Sequence, residues 1–161
     1  MVGADHVFWS GPIDEYFAHE HGHLGYRTLD FAEETLHGDF QGCPVMNYCD
    51  PDVPFTRITE HKHFAPWESH DETVIYREYS RLAGPDDIPY YPIRLVTEKE
   101  QLHRYVQQAE QTQGVTFLGR LGTYRYLDMD VTIKEALDAA RVFLESRASG
   151  ARMPSFVVNP L

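Results

Sequence analysis

Short apolar segments separated by turn-forming residues dominate the first half of the chain. The segments 6–9 and 115–118 are continuously apolar, which is typical of short, fully buried strands. Four further segments alternate polar and apolar positions or are rich in β-branched and aromatic residues: 26–31, 40–48, 55–63 and 73–79. Their short linkers carry Pro, Gly and Asp, so the pattern predicts an antiparallel sheet of about four or five strands.

The segment 55–63 is the clearest of these strands. In an extended chain Arg57 shares one face with Thr59, His61 and His63, while Ile58 and its alternate neighbours occupy the other face. That arrangement places Arg57 among groups that can meet an anion. The alternative is a half-exposed strand whose arginine makes a surface ion pair of little energetic value.

Helical periodicity appears twice in the second half of the chain. Thr97 and Glu100 form a capping box, which predicts a helix over 97–111 with Leu102, Val106 and Ala109 on one stripe. A second helix is predicted over 131–146, and Gly150 is a suitable stop. Its predicted buried face consists of Ile133, Ala136, Leu137, Ala140 and Phe143. Residues 151–161 show no readable pattern.

A glycine-rich motif at 117–130, FLGRLGTYRYLDMD, lies between the last apolar segment and the last helix. A strand, a glycine turn and a helix start form a common small-molecule site, because free N–H groups at a helix start attract anions or electron-rich rings. Gly119 and Gly122 leave room for a ligand, and Arg120 and Arg125 suit a phosphate. In an extended segment Tyr124 and Tyr126 share a side. A surface turn before a well-capped helix is the alternative, which residue types alone favour.

Composition narrows the classes of function. The chain has 161 residues, enough for one ordinary domain or two small lobes, with 14 Lys and Arg against 25 Asp and Glu. The resulting net charge of −11 argues against a nucleic-acid partner, although a few placed arginines still allow an anionic small molecule. We expect no membrane segment, because no apolar run approaches spanning length.

The potential metal ligands do not form a recognisable set. Cys43 and Cys49 match neither a zinc pair nor a redox motif, so we expect reduced, partly buried thiols in a cytoplasmic protein. His19, His21 and His23 alternate and could chelate a metal. The pattern favours a polar loop instead, because Gly22 loosens the segment and no cysteine completes a set. No metal site is therefore expected.

Four stretches together resemble the bacterial flavoenzyme family of UDP-galactopyranose mutases. They are SGPIDEYF at 10–17, PFTRITEHKHF at 54–64, DIPYYP at 87–92 and GRLGTYRYLDMD at 119–130. Each is moderately specific alone, and their order and separation are very specific. The resemblance covers about residues 5–145, and the histidines at 19–23 depart from the usual family pattern.

The resemblance implies an α+β fold that forms the C-terminal portion of a mutase. Family chains are more than twice as long and open with a Gly-x-Gly-x-x-Gly fingerprint for FAD, followed by a helical lid domain; neither pattern is in this sequence. The implied divisions are a flavin-domain strand at 1–15, an antiparallel-sheet substrate domain at 16–112, a strand and helix of a Rossmann-like FAD domain at 113–150, and a tail at 151–161.

The resemblance also implies roles for individual residues. Arg57 and Tyr91 match residues that bind the substrate diphosphate, and Glu78 matches an acid of the cleft. Tyr126 and Asp128 match residues that line the same pocket. On the flavin side the implied contacts are Gly119, Arg120, Leu127, Asp128 and Met129.

The family reaction converts UDP-galactopyranose to UDP-galactofuranose for cell-surface polysaccharide, with reduced FAD as the nucleophile. Arg57 is then the expected catalytic residue, because a guanidinium can hold the departing diphosphate through two hydrogen bonds. The alternative is a non-catalytic fragment, since this chain alone is not expected to hold FAD tightly. An N-terminal half or a second copy is the expected protein partner. A different flavin oxidoreductase is less favoured, because Arg57 and the paired tyrosines suit a nucleotide diphosphate.

Overall fold

The computed structural model describes residues 4–94 and 98–161 of the chain. These residues form two compact units, one of which runs to Arg27 and resumes at Pro85, while the other spans Thr28–Gly84. Helices and an antiparallel sheet are both present, so the predicted α+β class is confirmed. The four divisions implied by the resemblance remain a prediction. Among the described helices, none has the length and apolar character needed to cross a bilayer.

The described residues form seven strands, four α-helices and one 3₁₀ turn. Their order is β1 (Val7–Trp9), α1 (Ile13–Tyr16), β2 (Tyr26–His37), β3 (Val45–Asn47), β4 (Arg57–Glu60), a 3₁₀ turn (His61–Phe64), β5 (Glu72–Leu82), β6 (Tyr91–Pro92), α2 (Lys99–Gln111), β7 (Val115–Phe117), α3 (Gly119–Gly122) and α4 (Met129–Ser149).

The larger sheet has the strand order β3-β4-β5-β2-β6, which confirms the predicted four or five strands. Strand β4 is antiparallel to both β3 and β5, and its register aligns Arg57 with Asn47 on one side and with Glu78 on the other. Ile58 and Glu60 are buried, whereas Arg57 and Thr59, which alternate with them, are partly exposed. The alternation of the sequence therefore sets which face of β4 is covered.

Two of the predicted strands are shorter than expected, and Glu60 explains the first of them, at 40–48. Its buried carboxylate accepts the backbone N–H groups of Phe40 and Gln41, so residues 40–41 bind a side chain instead of a neighbouring strand. After Glu60 the chain enters a 3₁₀ turn, so the prediction that His61 and His63 continue the Arg57 face is wrong. Strand β3 lies at one edge of the sheet, and Pro44 directly precedes it.

In the first unit, β1 and β7 pair in parallel, with Val7 opposite Val115 and Trp9 opposite Phe117. The C-terminal segment continues this layer, because Phe117 donates its N–H to the carbonyl of Ser155. The tail for which the sequence offered no pattern is therefore partly built into the core. The largest buried side chains of this unit include Ile13, Tyr105, Val106, Phe117 and Tyr124.

The two long helices differ in how well the sequence predicted their packing. On α2 the predicted stripe of Leu102, Val106 and Ala109 is buried, whereas Thr97 of the capping box lies outside the described residues. The predicted buried face of α4 is wrong. Ile133 and Leu137 are 61% and 67% exposed, and among the described residues of α4 only Ala139 is buried. The helix meets β1 through one edge, where Phe143 packs against Phe8, and the described residues leave its main apolar stripe uncovered.

Candidate functional site

In the second unit, three adjacent strands bring Asn47, Arg57 and Glu78 into one row. The Arg57 Nε–H donates to Asn47 Oδ1 at 2.9 Å, and its Nη1 lies 3.6 Å from Glu78 Oε1. The Arg57 side chain is 38% exposed, whereas that of Glu78 is 9% exposed. The half-exposed guanidinium of Arg57 thus lies beside the nearly buried carboxylate of Glu78. This contact orients the guanidinium and leaves it partly open to solvent.

The structure therefore brings together Arg57 and Glu78, to which the resemblance assigned separate roles. Asn47 is an addition that sequence reasoning missed. The strand register is what identifies Asn47, because this residue lies directly opposite Arg57 on β3. The contact between Arg57 and Glu78 is too long for a hydrogen bond, so it adds little to the stability of the fold. Its main effect is to orient the Arg57 guanidinium. A guanidinium stays ionised at all physiological pH values and suits a phosphate or diphosphate.

In the first unit, Arg120 lies against two tyrosine rings. Its guanidinium carbon is 4.8 Å from the ring centroid of Tyr91 and 5.0 Å from that of Tyr126. Its Nη2 also donates to the backbone carbonyl of Leu127 at 2.6 Å. Cation–π contacts of this kind hold rings and cation in one geometry. The structure thus brings together Tyr91, Arg120, Tyr126 and Leu127, all of which the sequence proposed.

The backbone at Tyr124 decides which tyrosine faces outward. Tyr124 has a positive φ of 48°, which interrupts the extended path assumed for 124–126. Its hydroxyl oxygen lies 2.7 Å from the Gly25 carbonyl oxygen and 2.6 Å from Glu98 Oε2, so the single hydroxyl hydrogen can reach either acceptor. Burial raises the pKa of this phenol above its usual value. Tyr126 is 66% exposed, whereas Tyr124 is buried, so the prediction that they share a side is wrong.

The two glycines of the motif serve the backbone. Gly119 has a φ of 74°, a left-handed conformation that most side chains rarely adopt. A Cβ on Gly122 would lie 2.7 Å from the carbonyl oxygen of Trp9, so β1 fills the space beside this glycine. Gly122 therefore allows β1 and α3 to approach closely, whereas the sequence interpretation reserved that space for a ligand.

Helix α4 begins at the end of this motif, at Met129. Asp128 is its N-cap residue and makes no side-chain cap hydrogen bond, while its carbonyl accepts the N–H of Thr132. Met129 is 82% exposed at the first helical position. Uncapped N–H groups and the helix dipole favour an electron-rich ligand at this end, although the Asp128 carboxylate sets the local charge against an anion.

Arg125 serves the fold in this region. Its Nη2 lies 2.5 Å from Glu135 Oε2, and both side chains are mostly buried. Its Nε–H also donates to the hydroxyl oxygen of Thr123. The Arg125 guanidinium thus connects the motif to α4. Because it is engaged in these contacts, the structure does not support the phosphate-binding role suggested by its sequence position.

These motifs are those of a known family. A sequence model described as UDP-galactopyranose mutase matches residues 2–126, most of the chain. The chain belongs to the UDP-galactopyranose mutase family. A probable UDP-galactopyranose mutase of Klebsiella pneumoniae is 60% identical over 153 residues, which are 95% of this chain and 40% of that protein. This family membership confirms the resemblance drawn from the four motifs.

Other members of the family differ in name and in distance from this chain. The dTDP-fucopyranose mutase of Escherichia coli is 53% identical over 88% of this chain and 38% of that protein. A crystal structure of reduced UDP-galactopyranose mutase shares the fold, with a TM-score of 0.64 and 14% identity over 96% of this chain and 46% of that chain. The chain thus spans about two fifths of the length of these curated relatives.

Proposed function

We propose that this chain forms the substrate-binding part of a mutase that interconverts UDP-galactopyranose and UDP-galactofuranose for cell-surface polysaccharide synthesis. The observation that carries the proposal is the row of Asn47, Arg57 and Glu78, in which a half-exposed guanidinium is held by its two neighbours. Family membership supports the same role for this arginine. Such a cation is suited to the diphosphate of a nucleotide sugar.

Arg57 is the proposed catalytic residue. In the ring contraction the diphosphate must leave the anomeric carbon and carry its negative charge with it. Because Nε–H is engaged by Asn47, the terminal nitrogens of Arg57 are the groups assigned to the diphosphate oxygens. Glu78 keeps the guanidinium in place, and Tyr91, Tyr126 and Asp128 are the further substrate contacts that family resemblance supports.

The flavin-side assignments belong to the motif before α4. An exposed Met129, an uncapped helix start and the Arg120 charge held between tyrosine rings fit a flat, electron-rich group. When bound, reduced FAD supplies the nucleophile for the sugar. Within this chain, Gly119 and Leu127 shape the motif: Gly119 through its left-handed φ, and Leu127 through the carbonyl that holds Arg120.

In the first unit, the exposed apolar side chains of α4 support the proposal that further polypeptide covers this helix. Leu144 and Phe8 border an apolar groove of about 350 Å³ between α4 and β1, and Ile133 and Leu137 are exposed beside it. Since the chain spans two fifths of its relatives, we assign this face to the flavin-binding remainder of the mutase, on the same or a separate polypeptide. A second copy of the chain is the alternative occupant.

A second candidate function is a non-catalytic module that binds a nucleotide sugar weakly. It is favoured by the apolar face that α4 leaves exposed among the described residues. A third possibility concerns the nucleotide, because one similar protein is a dTDP-fucopyranose mutase. The experiment below separates all three.

The test is turnover by the chain co-expressed with the flavin-binding segment of the Klebsiella pneumoniae relative. We expect the wild-type assembly to convert UDP-galactofuranose to UDP-galactopyranose, followed by chromatography, and Arg57→Ala to abolish conversion while the circular dichroism spectrum stays unchanged. Arg81→Ala is the matched control, because this arginine of the same unit pairs with Asp30 at an exposed position. We expect its activity to equal that of the wild type.

Three outcomes would count against the proposal. Undiminished turnover in Arg57→Ala would remove the catalytic assignment. Calorimetric binding of UDP without turnover by a flavin-loaded assembly would favour the non-catalytic module. Faster conversion of dTDP-fucopyranose than of the UDP sugar would move the substrate to the dTDP class.

A further inference from the structure

Helix α1 and the turn that follows it bring together three side chains that can bind a metal. Asp14, His19 and His23 each offer one donor atom, and these three atoms lie within 4.8 Å of one another. The sequence alone favoured a polar loop for the histidines. Folding adds the carboxylate of Asp14, which the spacing of the histidines gave no reason to include.

The carboxylate is fixed before any ligand arrives. Asp14 is 1% exposed, and its Oδ2 accepts the N–H of Leu24 at 2.9 Å while its Oδ1 accepts the hydroxyl of Tyr26 at 2.7 Å. Such hydrogen bonds to a ligating carboxylate are typical of metal sites.

The turn brings the two imidazoles together. Ala18 and His19 have φ values of 50° and 57°, and the His19 N–H donates to the Asp14 carbonyl at 2.8 Å. The rings of His19 and His23 are stacked, with centroids 3.9 Å apart. His21 points elsewhere, because its ring packs against that of Tyr105.

One atom of this cluster is left without a hydrogen bond. His19 Nδ1 is shielded from solvent and accepts or donates none to residues 4–94 and 98–161, although it lies 3.3 Å from Asp14 Oδ2. Buried polar atoms are normally paired, so such an atom calls for an explanation. The surrounding charge favours a cation, since residues 13–26 include Asp14, Glu15 and Glu20 but no Lys or Arg.

We propose that Asp14, His19 and His23 bind a divalent transition metal of the zinc type. Two imidazoles and one carboxylate form a donor set that zinc accepts, with water as the fourth ligand. Bonds of about 2.0–2.2 Å require the donor atoms to move closer together, and the exposed His23 can rotate to do so. The bound metal would pin the turn that leads from α1 into β2.

A similar group in the second unit does not support the same proposal. Asp39, Glu60 and His63 also place donor atoms within 4.8 Å of one another. However, the Lys62 ammonium lies 2.5 Å from Asp39 Oδ1, so the protein already supplies a cation there. The Glu60 oxygens also receive three hydrogen bonds. The proposal is therefore confined to the cluster at Asp14.

The test is calorimetric titration of the purified chain, without an affinity tag, with zinc chloride. We expect one zinc per chain, and cobalt chloride should give visible absorption typical of four-coordinate nitrogen and oxygen ligation. His19→Asn and His23→Ala should each weaken zinc binding by roughly tenfold or more. Asn is chosen at position 19 because it tolerates a left-handed φ.

His21→Ala is the matched control, because it removes an imidazole of the same segment that lies outside the cluster. Its backbone N–H contact with the Tyr105 hydroxyl does not depend on the ring. We expect unchanged zinc affinity and an unchanged rise in melting temperature with zinc. No zinc binding by the wild type, or equal weakening by all three substitutions, would overturn the proposal. If one variant unfolds without metal, the circular dichroism spectrum will show it and the other variant decides.

Discussion

At the scale of single residues, Glu60 shows how a buried charge can organise its surroundings. Burial alone raises the pKa of this carboxyl, but hydrogen bonds from Phe40, Gln41 and Thr73, with His63 nearby, outweigh it and lower the pKa to about 2. The ionised side chain is fully buried and ties the turn at 40–41 to β4. Its role is therefore to hold the unit that carries Arg57.

The lowered pKa makes stability depend on pH in a defined direction. Glu60 binds its proton more weakly in the folded state, so its contribution is complete above about pH 4.5 and is lost as pH falls towards 2. We expect Glu60→Gln to reduce the free energy of unfolding at neutral pH by roughly 2–3 kcal/mol. Denaturant titrations at several pH values would measure this loss and its disappearance in acid.

Glu68→Gln is the matched control for this prediction. Glu68 is half exposed and pairs with the exposed His70, so its replacement should change stability by less than about 0.5 kcal/mol. If Glu60→Gln and the wild type lost stability in parallel between pH 5 and pH 2, the ionised carboxylate would not be the stabilising species.

At the scale of elements, the close approach of α3 to β1 depends on a missing side chain. Gly122 sits against backbone atoms of β1, whereas Gly150 ends α4 in a left-handed conformation with open space around it. The first glycine is required by packing and the second by its φ. These two causes have different energetic consequences.

We expect Gly122→Ala to destabilise the chain more than Gly150→Ala. A methyl group at 122 meets the Trp9 carbonyl and forces β1 away, at a cost of roughly 2–3 kcal/mol. At 150 the cost is only that of a left-handed Ala, about 1 kcal/mol. Thermal and denaturant unfolding of both variants would give the two values, and the reverse order would show that α3 can shift without loss.

At the scale of the whole molecule, α4 presents the main question. Its apolar positions carry the pattern of a buried helix, yet Leu137 and Leu144 are each 67% exposed. Under the proposed function, the flavin-binding remainder of the mutase is the occupant that we assign to this face. That proposal interprets α4 as a helix inside a larger domain.

Leu137→Glu tests that interpretation. We expect it to change the free energy of unfolding of the isolated chain by less than about 0.5 kcal/mol, because the Leu137 side chain is largely exposed. In the co-expressed assembly it should abolish co-purification of the flavin-binding segment and of bound FAD, measured by chromatography and visible absorbance. Lys134→Glu is the control, because it places the same side chain on the neighbouring polar face. Unfolding of the isolated Leu137→Glu chain would instead indicate an internal role for this face.

Much of the local structure follows from the sequence. The strands and the α2 stripe depend on periodicity, which acts within one segment. The choice of Arg57 with Glu78, and of Arg120 with Tyr91 and Tyr126, came from family resemblance. The structure brings each of these sets together within its own unit.

Tertiary structure decided what depends on partners distant in sequence. Asn47 joined Arg57 through strand register, Asp14 joined His19 and His23 through a left-handed turn, and Tyr124 turned inward through its positive φ. Periodicity reports which side of an element is apolar, but it does not report what covers that side, as α4 illustrates. The physical reason is that burial and pairing belong to contacts between segments, whereas the sequence pattern describes each segment alone.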